Sequence, residues 1–199
     1  MNFLAHLYLS GENEEIIVGN FIADHVKGNA FDKFKDEIKR GIQLHRAIDA
    51  YTDSHPVFIQ SKNRLAPNYR KYAGVITDMF YDHYLSALWE NYSEEKIEFF
   101  TSRMYRIVMK RFFILPLKTQ RILPFMAKDN WLKGYGSTEG LGRALNGMAK
   151  RTPFESGMEN AITDLKKDYN LYKQEFEAFF PEIITYSENW LKENKPVTI

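Results

Sequence analysis

Apolar side chains return along this chain every three to four residues, and the two-residue alternation of a half-buried strand is nearly absent. That period predicts helices with one buried face each. The pattern places them at about residues 2–9, 13–28, 32–54, 56–66, 69–91, 93–113, 117–132, 137–148 and 155–194, the last broken near Pro181. Some ends carry their own signals. Pro56 suits the first turn of a helix and biases His55 away from helical geometry, so the preceding helix should stop at about Ser54. Ser93, with Glu95 close behind, opens another. Glycine and proline are too sparse for a long linker and no internal repeat is visible, so the expected fold is all-α, one helical bundle spanning residues 1–199.

The same stripes are informative where they turn polar. Ile38, Ile42, His45, Asp49 and Thr52 share one face of the third predicted helix, which begins apolar and becomes ionisable halfway along. On the fifth, Val75, Asp78, Asp82, Leu85 and Trp89 share a stripe with two carboxylates one turn apart. The second gives Ile17, Asn20, Phe21 and Asp24, and His6 projects from the short first helix. Buried carboxylates repel one another and cost several kcal/mol unless a cation, a metal or a shared proton joins them, an order of magnitude known from buried charges in general. A site built from these faces gathers His6, Asp24, His45, Asp49, Asp78, Asp82 and His83. Nitrogen and carboxylate donors in this mixture suit Mn²⁺, Mg²⁺, Fe²⁺ or Zn²⁺, as one ion or two. Asp53 and His55, near a helix end, are expected to serve caps or turns, and His25 to point away from the cluster.

Composition narrows the chemistry. With 44% hydrophobic, 15% aromatic and 27% charged residues the chain is globular, with a ring-rich core. It has no cysteine, which excludes disulfides, thiolate metal sites and thiol nucleophiles. The opening Met1-Asn2-Phe3-Leu4-Ala5-His6 lacks a signal peptide's basic start, and no apolar run approaches the roughly 20 residues of a bilayer span. A cytoplasmic protein without membrane association is expected. The net charge of +1 hides an uneven distribution. No acid lies between Glu98 and Asp129, where Arg103, Arg106, Lys110, Arg111, Lys118, Arg121 and Lys128 fall, and the acid-free run 141–154 adds Arg143, Lys150 and Arg151. Such a region attracts an acidic partner. Nucleic acid fits it poorly, because the nearby aromatic residues follow a core-directed pattern.

The blocks MNFLAHLYLS, GNFIADHVKGN, GIQLHRAIDAYTDSHP, TDMFYDHYLSALW and LNGMAKRTPF together resemble the acyl carrier protein phosphodiesterase family over most of the chain. The resemblance implies a fold related to HD-type metal phosphohydrolases. It also implies hydrolysis of the phosphodiester between 4′-phosphopantetheine and a serine of acyl carrier protein, with a divalent metal, typically Mn²⁺. Asp24 matches the aspartate most firmly tied to activity; His45 and Asp49 match an H-R-x-I-D element, and Asp82 with His83 a D-H element in reversed order. His6 matches the N-terminal L-A-H, and Asn146, Gly147, Met148 and Arg151 match a late N-G-M-x-x-R block.

On this basis Asp24, His45, Asp49 and Asp82 are the expected metal ligands. Asp24, His6, His83 and Asp78 are the expected catalytic groups, with His6 or His83 as a general acid. Lys27, Arg46 and Arg151 are candidate phosphate clamps. Acyl carrier proteins are strongly acidic, so Arg103, Arg106, Lys110 and Arg111 form the expected docking face. Two other readings use the same residues: an HD-type phosphohydrolase of a nucleotide or other small phosphoester, and a non-catalytic helical module binding an acidic partner.

Overall fold

A computed structural model describes residues 1–195. Its regular structure is helical throughout, and no strand occurs among the described residues. The α-helices are α1 (Phe3–Tyr8), α2 (Glu14–Ile22), α3 (Asp36–Ser54), α4 (Pro56–Tyr69), α5 (Ala73–Ala87), α6 (Ile97–Met109), α7 (Leu117–Lys128), α8 (Trp131–Gly134), α9 (Thr138–Arg151), α10 (Ala161–Lys167) and α11 (Tyr169–Glu193), with short three-ten turns between several of them. The predicted stop at Ser54 is observed, and the His55 side chain accepts from the amide of Val57 to cap α4.

Several expectations differ from what forms: Ser93 does not open a helix, since α6 starts at Ile97 after Lys96, and the segment expected as one helix over 117–132 divides into α7 and α8. The helix expected over 13–28 ends at Ile22, and Ala23–His25 tighten into a three-ten turn that puts Asp24 on a bend. The segment expected as one helix over 155–194 is α10 followed by α11. Pro181 breaks nothing; it lies inside α11, as Pro67 and Pro124 lie inside α4 and α7. All three prolines are exposed, so the carbonyl that each leaves without an amide can be met by water.

α5 is the axis of the core. From Ile76 to Ser86 every residue except Asp78 is buried, because α1, α4, α9 and α11 all pack on it. The rings predicted from composition collect here: Tyr81 and Tyr84 meet Phe176 of α11, and Phe58 of α4 stands edge-on to Tyr81. An ion pair crosses this core, where Arg64 of α4 holds the carboxylate of Glu175, which is only 6% exposed.

α2 and α3 touch backbone to backbone. A Cβ on Gly19 would lie 2.0 Å from the carbonyl oxygen of Ile38, and one on Gly41 would lie 2.2 Å from that of Ile16. Neither position can carry a side chain without forcing the helices apart. Because this crossing is so close, Asn20, one residue beyond Gly19, comes within hydrogen-bond reach of His45, one turn beyond Gly41.

Candidate metal centre

His6 from α1 and His45 from α3 are buried and stack nearly parallel, with ring centroids 3.8 Å apart. Asp49, one turn beyond His45, joins them: its Oδ1 lies 3.1 Å from His6 Nε2 and its Oδ2 3.2 Å from His45 Nε2. Asp24, on the bend after α2, completes the set with its Oδ1 3.3 Å from the same His45 nitrogen. Asp24 sits at the rim, with 66% of its side chain exposed. The cluster therefore runs from a buried histidine pair outward to a solvent-facing carboxylate.

Hydrogen bonding fixes the tautomer of His45. Its Nδ1 lies 2.9 Å from the carbonyl oxygen of Asn20 and 3.0 Å from the Asn20 side-chain oxygen. Both are acceptors, so Nδ1 carries a proton and Nε2 is turned to the carboxylates. This is the arrangement by which an outer-shell partner orients a metal-binding histidine. Asn20 is in turn held by its amide, which donates to Ser10 Oγ and to the carbonyl of His6.

Electrostatics separate the two rings. Burial pushes His6 down to about 4, and the neighbouring His45 adds to that effect. Burial acts on His45 in the same sense, but its bonds to Asp24 and Asp49 outweigh it and hold that ring up at about 9. Asp24 is lowered chiefly by its bond from His45. Asp49 is held well below the usual carboxylate range, as its bonds from His45 and His6 overcome the opposing effect of burial. Without an ion the cluster thus keeps one proton on His45 between two carboxylates.

One donor atom from each of His6, His45 and Asp49 lies within 4.8 Å of the others. Ligand bonds of about 2.0–2.2 Å bring donors on one ion to within roughly twice that distance, so a small contraction would close these atoms on a shared cation. A pocket of about 320 Å³ opens beside them, and four carboxylates line it: Asp24, Asp49, Asp53 and Asp78. The donor set and this excess of negative charge fit a divalent cation. Asp53, expected to serve a cap or turn, contributes to the pocket wall instead.

The residues expected from α5 are held by other partners. Asp78 lines the pocket but forms an ion pair with the Met1 amino group at 2.8 Å. Asp82 is completely buried and accepts from the amides of Leu4 at 2.8 Å and Ala5 at 3.2 Å, with Asn2 at 3.3 Å. It therefore anchors the amino end of α1, whose first amides have no partner within the helix, and its carboxylate is spent on backbone instead of joining the ligands. Burial pushes Asp82 up to about 7 against these amides. His83 also leaves the set. Its Nδ1 donates to the carbonyl of Tyr135 at 2.7 Å, and Nε2 accepts from the Tyr169 hydroxyl at 3.0 Å, which closes it inside the core.

The expected cations are spread over several surfaces. Lys27 and Arg46 are exposed, and the Arg46 guanidinium lies over the Phe31 ring at 5.4 Å. Arg103 is held by Glu12 and Glu95, and Lys110 by Glu14, which neutralises much of the charge on that face. Arg106 is exposed and Arg111 half-buried, each without an ion pair among the described residues. Arg151 instead joins Lys118, Arg121 and Arg143 around a groove of about 880 Å³ between α7 and α9. His25, expected to be peripheral, lines the same groove and bonds Thr119 at 2.8 Å.

Among the described residues no helix is long and apolar enough to cross a membrane. No solved structure matches the chain. A protein of Photorhabdus laumondii named acyl carrier protein phosphodiesterase is 30% identical over 95% of this chain and 96% of its own length. Proteins of the same name from Klebsiella pneumoniae strain 342 and Escherichia coli O6:H1 are each 32% identical, over 95% and 92% of this chain and 98% and 96% of their own lengths. The profile of the family described as acyl carrier protein phosphodiesterase matches residues 1–183, and the chain belongs to that family.

Proposed function

We propose that this protein is a metal-dependent phosphodiesterase that cleaves 4′-phosphopantetheine from the serine of holo acyl carrier protein, leaving the apo carrier. The observation that carries this reading is the cluster of His6, His45, Asp49 and Asp24, whose two carboxylates line an acidic pocket, in a chain whose relatives bear the name of that activity. His45, Asp49 and Asp24 would hold the ion with His6 at their side. Mn²⁺ is the preferred cofactor, and Mg²⁺, Fe²⁺ and Zn²⁺ are compatible with the same donors. When bound, such an ion supplies Lewis acidity toward the phosphoryl group and acidity toward water.

The chain's own groups do the remaining work. Asn20 keeps Nε2 of His45 aimed at the carboxylates, and Asp49 ties the two rings into one geometry. Asp24 is ionised and open to solvent at the pocket mouth, where it can orient a water and take its proton. His6, pushed down to about 4, is neutral near pH 7 and suits ligation, not proton donation. Arg151, which lines the neighbouring groove, would meet a phosphate oxygen, and its planar guanidinium can engage two at once. A cytoplasmic site of action agrees with a carrier-protein substrate.

The test is direct. Incubation of holo carrier protein with the enzyme and Mn²⁺ should remove the mass of 4′-phosphopantetheine, and a folded, metal-replete sample that leaves the carrier intact would refute the reaction. Asp24→Ala should lower turnover by at least about 10²-fold, within the range for a proton-transfer group. Docking of the carrier on Arg103, Arg106, Lys110 and Arg111 is a separable part of the reading. Since Arg103 and Lys110 already have acidic partners, alanine at Arg103, Arg106 and Lys110 together should cost less than about tenfold in kcat/KM at low salt.

A further inference from the structure

The two acid-free runs of the sequence, 99–128 and 141–154, meet in space. The first supplies Lys118 and Arg121 from α7, the second Arg143 and Arg151 from α9, and these four cations surround one groove, with Asp129 as the acid among them. Between the cations the lining is apolar and aromatic, with Phe3, Ile122, Trp131 and Met148. Along α9 the groove runs over Ala144 and Gly147, small residues on successive turns that leave a trough in the helix surface, and it ends at Gly140, which is pressed against the backbone of Gly134. The groove also adjoins the acidic pocket of the metal centre, because Asn2, Phe3 and Met148 line both.

Cations at the edge and an apolar floor select a ligand with an anionic head and an extended, uncharged body. At about 880 Å³ the groove falls within the range of roughly 300–1,000 Å³ that serves small-molecule ligands. A docked protein helix is about 10–12 Å across with its side chains and would lie over such a trough, not in it. Resting on the reaction proposed above, we infer that the α7–α9 groove seats the pantetheine arm. The phosphodiester then lies at the end shared with the metal centre, near Arg151, and the arm extends along Ala144 toward Trp131. The surrounding cations face the acidic carrier from which the arm projects.

Trp131 makes the groove its own reporter, since it is half-buried in the wall. Titration of the full-length protein with free 4′-phosphopantetheine should give a saturable change in tryptophan fluorescence that Trp131→Phe removes. Pantetheine without its phosphate, and inorganic phosphate alone, should each bind at least about tenfold more weakly than the joined molecule. Ala144→Phe fills the trough and should weaken 4′-phosphopantetheine by at least about tenfold. It should also lower turnover of holo carrier about tenfold more than it lowers hydrolysis of bis(p-nitrophenyl) phosphate, which has no arm. Ala144→Met, a smaller filler, should show the same trend if the phenylalanine variant does not fold. Equal binding of inorganic phosphate and 4′-phosphopantetheine would mean that only the cations recognise ligand, and would overturn the assignment. So would holo-carrier turnover by the wild type that folded Ala144→Phe or Ala144→Met leaves unchanged. A metal-replete wild type that cannot cleave holo carrier overturns the underlying reaction instead.

Discussion

Two polar clusters interrupt the apolar interior, and in the sequence they look alike: His45 with Asp49 on α3, and Asp78 with Asp82 and His83 on α5. In the structure they have opposite economies. On α5, Asp82 is consumed by the amides of α1 and His83 by Tyr135 and Tyr169, so those two groups are satisfied by the fold itself. On α3, the fold takes only Nδ1 of His45, through Asn20; its Nε2 and the Asp49 carboxylate face each other, His6, the exposed Asp24 and the Met1 amino group. A buried ionisable group whose valences are met by backbone stabilises the fold, whereas a set that meets mostly itself is available to an ion. Partnership, more than burial or spacing, separates structure from chemistry here.

The largest effect that tests this contrast is loss of the ion. His45→Ala or Asp49→Ala should leave the purified protein folded but without stoichiometric metal, and turnover should fall below detection. Metal analysis beside circular dichroism checks both halves. Full metal occupancy in either variant would break the distinction between the clusters.

Asp82→Ala should do the reverse. It leaves buried amides of α1 without an acceptor, and each such donor costs about 1–3 kcal/mol, so a loss of roughly 3 kcal/mol in unfolding free energy is expected. Below the melting transition the variant should retain its metal. Urea unfolding and metal analysis on one preparation decide it, and metal loss from a protein that is still folded would return Asp82 to the ligand set.

Much of this could be read in advance, for physical reasons that also explain the misses. The helical period marks buried faces, so His45, Asp49 and Asp24 could be found as polar residues on apolar stripes. That Asp82 points at the amides of α1 is a tertiary fact with no sequence signature, so its spacing and its match to the D-H element together made it a ligand. Asn20 lay on the right stripe but carries no charge, so its role in aiming His45 stayed hidden until the carbonyl and side-chain distances were known. Gly19 and Gly41 offered a signal that could have been used. A glycine inside a helical pattern is costly unless something packs there, and each is pressed against the opposite backbone. Pro181 was misread as a break because propensity does not say which carbonyls face water.

Asn20→Ala sharpens the contrast at smaller scale. The variant removes the side chain that positions His45 but leaves every donor atom in place, so metal affinity should fall by about 10–100-fold, the usual range for an outer-shell partner. Competition with a chelator measures the shift. Because Asn20 acts through His45, saturating Mn²⁺ should restore much of the turnover, which it would not do for His45→Ala. An Asn20→Ala protein with unchanged metal affinity would mean that the Asn20 carbonyl alone orients the ring.

The smallest expected effect concerns the satisfied cluster and its response to pH. Burial lowers His83 from its ordinary value near 6.5, so the folded state prefers the neutral ring that donates to Tyr135 and accepts from Tyr169. The unfolded chain therefore binds more protons here as pH falls below about 6.5, and the stability that His83 contributes is present above that pH and lost below it. Asp82, raised to about 7, has the opposite slope: its contribution is full below about pH 4 and is lost as pH rises toward 7. The two partly cancel in the wild type, so the His83 slope must be read as a difference. His83→Gln keeps a polar side chain but cannot titrate; it should be less stable than the wild type at pH 7.5, and the gap should narrow between pH 6.5 and 5 by no more than about 1.4 kcal/mol per pH unit, the limit for one proton. Chemical denaturation at several pH values gives the comparison. A gap that stays constant would mean that His83 keeps its proton balance on unfolding, and that the Tyr135–His83–Tyr169 contact is not selective for the neutral ring.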